Sequence, residues 1–138
     1  MQINYTIDEN HLIRGFGYHD GMLIGVLDEG QDKLLIIRNA ASETLHLRFV
    51  GVSHFLVNHF LSGNILREIF LWGMSDKDLP QDRLARFLGE VGFANANRAT
   101  VEKLIDGGQG GYFAMIECSY GADVGVVCAD MIVERAAD

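Results

Sequence analysis

From Glu43 to Val50 the chain alternates without a break: Leu45, Leu47 and Phe49 point one way, and Thr44, His46 and Arg48 the other. A period of two excludes a helix, whose faces repeat every 3.6 residues, and commits the segment to a strand with one buried face. The residues before it have the same habit. Between Met22 and Asp28, Met22, Ile24 and Val26 alternate with Leu23, Gly25 and Leu27. Both faces are apolar there, which predicts a central strand. "KLLIIR", from Lys33 to Arg38, is a second apolar run. "DEGQD" between them has turn composition, and "NAASE" has hairpin length.

Residues 51–64, "GVSHFLVNHFLSGN", read as a short helix or an irregular loop that buries Phe55, Leu56 and Phe60. Residues 65–73, "ILREIFLWG", alternate again and predict a strand. The period then changes. Asp78 is placed to cap a helix, with Pro80 in the first turn and Gln81 three residues after the cap. Leu84, Phe87, Leu88 and Val91 follow at helical spacing, and Gly92 is a natural C-cap. "RATVEKLID", residues 98–106, predicts a second short helix ending at "GGQGG". "YFAMIECSYG" and "VGVVCADMIVER" predict a closing hairpin with "GAD" as its turn. A three-residue loop there would set Cys118 opposite Cys128, and a two-residue loop would not. The expected fold is α+β: a mainly antiparallel sheet of about six strands, with two helices packed on one side, in a single domain over residues 1–138.

A chain of 138 residues can bury roughly two-thirds of the surface its unfolded form exposes, enough for a core without staples. The net charge of −8, from nineteen acids against eleven bases, argues against nucleic acid, because phosphate binding needs clustered Lys and Arg. An acidic surface serves solubility or a basic partner. No apolar run approaches the roughly 20 residues that span a bilayer, and "MQINYTIDEN" does not read as a signal peptide. A soluble, cytoplasmic protein is expected. Two cysteines make no disulfide framework, so thiols are expected for both.

The polar residues that interrupt this pattern are the candidates for function. His19–Asp20 resembles the metal-binding dipeptide of phosphohydrolases, but that pair sits on a helix with a further upstream His and a distant Asp. Here it precedes a strand, which predicts a turn in which the Asp20 carboxylate bonds backbone amides. His46, His54 and His59 have no metal-ligand spacing. Cys118 and Cys128 have no evident base beside them to make a nucleophile. Glu117 and Asp130 lie inside otherwise apolar strands, Asp130 on the face of Val126, Cys128 and Ile132, and Glu117 on that of Phe113 and Met115. Acids in such places can mark a pocket. "DGGQGGYF" lacks the Lys–Ser/Thr pair and the following helix of a phosphate loop. No catalytic set, metal site or cofactor fingerprint emerges, and the binding candidates are His19, Asp20, His46, Glu117 and Asp130.

Tyr18-His19-Asp20, the stretch from Leu47 to Val52, Gly63-Asn64-Ile65 and Ser119-Tyr120-Gly121-Ala122 together resemble a group of small bacterial proteins, some of them immunity proteins of polymorphic toxin systems. That group has an "FHD" motif ahead of its first long strand; Tyr18 stands here where Phe is usual, and Asp76 to Gly108 has no counterpart. The resemblance implies a sheet fold and a binding role rather than a reaction. Three functions are therefore weighed: a non-enzymatic module that binds a basic protein, a small-molecule binder or enzyme with its pocket between sheet and helices, and a homo-oligomer subunit using Phe70, Trp72 and Met74.

Overall fold

The computed structural model describes residues 1–91 and 111–136. The strands are β1 (Gln2–Ile3), β2 (Thr6–Ile7), β3 (Ile13–Arg14), β4 (Met22–Glu29), β5 (Asp32–Arg38), β6 (Thr44–Val50), β7 (His54–Asn58), β8 (Asn64–Gly73), β9 (Tyr112–Tyr120), β10 (Asp123–Cys128) and β11 (Asp130–Arg135). One helix, α1 (Gln81–Glu90), lies between β8 and β9. Nine strands form an antiparallel sheet in the order β1-β11-β6-β5-β4-β8-β9-β10-β7, and β2 pairs with β3 separately.

This corrects the expected six strands with two helices. Among the described residues there is one helix, while the second expected helix, residues 98–106, and the Gly92 cap lie outside them. Strand content rises because 54–58 is a strand rather than a helix or loop. The C-terminal run is also two strands, broken at Ala129.

That break shapes the molecule. β10 and β11 are two arms of one bent strand, and β7 and β6 pair with them in succession, Val127 opposite His54 and Asp130 opposite Val50. Gly51, at positive φ, makes the matching bend beside Ala129, where an added Cβ would meet the Ala129 methyl at 3.1 Å. The pairings therefore run round a ring: β4, β5, the β6–β7 arm, the β11–β10 arm, β9, β8 and back to β4. A sheet rolled up in this way leaves few free edges. Its seam is narrow, since β8 meets β4 only at Met22↔Ile65 and Leu23↔Asn64.

The inside of the roll is apolar. Leu35, Leu45, Leu47, Phe49, Leu66, Ile69, Val126 and Val133 are completely buried. Burial of each such side chain contributes roughly 1.5–3 kcal/mol. The alternation of β6 holds as expected: its apolar row is inside, while Thr44, His46 and Arg48 keep partial exposure outside.

A second apolar cluster lies outside the roll, where α1 covers β8, β9 and β10. Leu84, Phe87 and Leu88, the predicted stripe, face Trp72, Phe113 and Val127. Trp72 and Met74 are thus buried within their own chain, which removes them as interface residues. Gly125 makes the close approach possible, because a Cβ there would lie 2.4 Å from Cδ1 of Phe87. Asp78 is not the cap. Its amide bonds Asp76 Oδ1, and the helix begins after Pro80, whose carbonyl accepts the first helical bond from Leu84.

Candidate functional site

The five residues singled out by sequence do not converge. His19 and Asp20 face each other at 3.3 Å with side chains 62% and 79% exposed. Their turn is held by main-chain bonds, Asp20 N–H to Leu66 O and Gly21 N–H to Tyr18 O, instead of by the expected carboxylate bonds. His46 lies on the outer face of β6, between Ile36 and Glu134 in register. Glu117 lies on β9, bonded to Arg67 at 2.6 Å and approached by Arg83 at 3.4 Å. Asp130 accepts the Met131 N–H and is exposed. Strict alternation would put Asp130 on the face of Cys128, but Ala129 and Asp130 both turn out at the bend and reset the phase, so Met131 follows Cys128 inside.

The thiols are also apart. Cys128 pairs with Tyr112 across the hairpin, whereas Cys118 sits opposite Leu66 on β8. Both are free cysteines. Burial pushes the Cys118 thiol up to about 11 and that of Cys128 up to about 12, which disfavours the nucleophilic thiolate at neutral pH.

Glu117, one of the expected candidates, enters a concave surface. A groove of about 410 Å³ runs between α1 and the outer faces of β7, β9 and β10. Phe87, Phe113 and Met115 lie along it, with Arg67, Arg83 and Arg86 on one side of its charge balance and Glu90, Glu117 and Asp123 on the other. Elsewhere His11 stands between Asp76 (3.7 Å) and Asp78 (3.5 Å). Its ring centroid is 6.1 Å from that of Trp72. This clasp ties the N-terminal segment to the loop before α1.

A cluster of charge lies at the tip of the β4–β5 hairpin. Arg48 reaches three carboxylates: Glu29 at 2.7 Å, Glu134 at 2.8 Å and Asp32 at 3.6 Å. The bonds from Glu134 and Glu29 raise the guanidinium pKa further. Lys33 bonds Asp28 at 2.8 Å, and this bond, with the Gly30 N–H, holds the Asp28 carboxyl below its ordinary value. Asp32 also accepts the Gly51 N–H, and Asp130 is in register with Val50 next door. Five carboxylates (Asp28, Glu29, Asp32, Asp130, Glu134) thus share one corner with two bases (Lys33, Arg48), a surplus of three negative charges.

No family model, curated protein or solved structure matches this chain. The reading of its function therefore rests on its own geometry.

Asp28, Glu29 and Asp32 stand out in the sequence as acids that could cluster on one face; that Glu29, Asp32 and Glu134 share one guanidinium, reached from β4, β5 and β11, is a product of the fold. The hairpin composition "LDEGQDK" is the trace the sequence leaves of it. Among the described residues, no helix is long and apolar enough to cross a membrane.

Proposed function

We propose that the protein is a non-enzymatic binding module whose partner is a basic protein, the role that its resemblance to immunity proteins implies. The surplus of carboxylates at the β4–β5 corner carries this reading. Complementary charge across an interface steers encounter and selects partners. The apolar interior of the roll and the protonated thiols agree with binding rather than chemistry.

The test is affinity capture from the source lysate with the intact protein and with an Asp28→Lys/Asp130→Lys variant as baits. Retention of one basic protein by the first bait, its loss from the second, and weaker retention in high salt are expected. Identical catches by both baits would remove the corner from the account.

The groove under α1 favours a second reading, a small amphipathic ligand. Its size falls within the roughly 300–1,000 Å³ of ligand pockets, and its lining pairs aromatic rings with arginines. A thermal-shift screen of small carboxylates and phosphates against the protein and an Arg67→Ala variant separates the readings.

A further inference from the structure

We propose that the outer half of β4, from Ile24 to Glu29, is a docking edge that accepts an extended segment of a basic partner as one more strand. The proposal rests on the binding reading above and names its mode and the kind of segment that fits.

β4 pairs with β5 along its length but with β8 only at Met22 and Leu23. Beyond Leu23, one flank of its N–H and C=O groups has no strand neighbour among the described residues. Two features end the seam. The register shifts by one residue at Ile24. Asn64, at the start of β8, turns its side chain across the gap: its Nδ2 donates to Leu23 O and Leu61 O, and its Oδ1 accepts from Leu61 and Ala122. The chain before β8 is thereby drawn into a loop instead of extending the ladder.

Among the described residues nothing pairs with this flank, and its protection is confined to the bulge at Ile24 and the acids Asp28 and Glu29 at its tip. Exposed edges are commonly blunted by charged side chains, above all Lys, by Pro, by bulges or by short length. Here six residues, roughly 20 Å at ~3.3 Å per residue, carry neither a Lys nor a Pro. Ile24, Val26 and Leu27 are 38%, 40% and 45% exposed. Phe60 and Leu61, in the loop that Asn64 ties to Leu23, are exposed to a similar degree.

The two faces of the edge specify the occupant. Val26 and Asp28 are in register with Leu35 and Lys33 on one face, and Leu27 and Glu29 with Leu34 and Asp32 on the other. On both, apolar residues come first and acids lie toward the tip. The matching strand has one apolar arm and one arm of Lys or Arg. Cationic side chains are accommodated because Arg48 is shared among three carboxylates. A second copy is a poor fit, since each chain carries net charge −8 and the same acidic corner. Addition of a strand to a free edge draws affinity from main-chain bonds and specificity from alternate side chains.

The test is selection of phage-displayed random twelve-residue peptides on the intact protein, followed by hydrogen–deuterium exchange with the enriched synthetic peptide. The expected result is enrichment of peptides with an apolar arm and a basic arm, protection of the amides of residues 24–29, and at least tenfold weaker binding to Val26→Lys and to Leu27→Lys. Both substitutions fall on exposed positions, and an unchanged thermal midpoint for each shows that it folds. No enrichment, enrichment without that pattern, or protection elsewhere overturns the edge. Capture of a basic protein that is lost with the Asp28→Lys/Asp130→Lys bait but kept by Val26→Lys overturns the docking edge while leaving the acidic-corner reading standing.

Discussion

Tyr18 and Asn64 are buried polar side chains that join distant segments of the roll. The Tyr18 hydroxyl donates to Ile13 O at 2.8 Å and accepts the Ile69 N–H at 3.2 Å, joining β3 to β8 in the interior. Tyr18→Phe keeps the ring and removes both bonds. It is expected to cost roughly 1–3 kcal/mol in urea denaturation, because it leaves an interior N–H and C=O without partners. A loss near zero would mean that water replaces the hydroxyl. Asn64 is 1% exposed and completes four bonds, and Gly121 beside it has no room for a Cβ, which would lie 2.3 Å from Asn64 Oδ1. Sequence alone marks Tyr18 as a departure from the Phe of the group it resembles and Asn64 as part of a turn. That their polar atoms bridge distant strands is legible only in three dimensions.

At the scale of elements, the helix was readable and its support was not. Leu84, Phe87 and Leu88 announce a buried stripe, but nothing local shows that Gly125, on a strand far along the chain, receives Phe87. Gly125→Val is expected to cost roughly 1–3 kcal/mol through overpacking, and much less in a Phe87→Ala background. Thermal melts followed by the fluorescence of Trp72, which lies in the same cluster, measure both values. Equal costs in the two backgrounds would show that the strain lies elsewhere. β4 is central in the sheet order, between β5 and β8, as expected. Its two apolar faces predict that place, but faces do not say how far each flank is paired: beyond Leu23, β4 has β5 on one side and no strand among the described residues on the other.

For the whole molecule, charge and burial set the response to acid. Burial lowers the His54 pKa, favouring its neutral form in the folded state. The unfolded chain takes up that proton first as pH falls below about 6.5, so this contribution to stability is lost between that value and the lower folded one. Asp28, whose pKa is lowered by Lys33 and the Gly30 N–H, contributes above the ordinary carboxylate range and loses its contribution as pH falls through its folded value. The thermal midpoint is therefore expected to fall in two stages between pH 7 and 3, at fixed ionic strength. His54→Gln should flatten the first stage, and an unchanged slope between pH 7 and 5 would contradict this assignment. The sequence places Asp28, Glu29 and Asp32 around one turn, but the fold alone brings in carboxylates from the bend and the closing strand and lets one arginine gather three of the five.

Alternation in the sequence determined by itself that β4, β5, β6 and β8 are strands and that the inward row of β6 is apolar, because side chains in a strand must point to opposite faces. It also determined the stripe of α1, whose period no strand can satisfy. The tertiary structure decided which edges close and which stay open. Closure depends on the bend at Ala129 and Gly51, on the bulge at Ile24, and on Asn64 ending the β4–β8 seam after two residue pairs. Those are relations between residues far apart in the chain, and a local repeat carries no information about them.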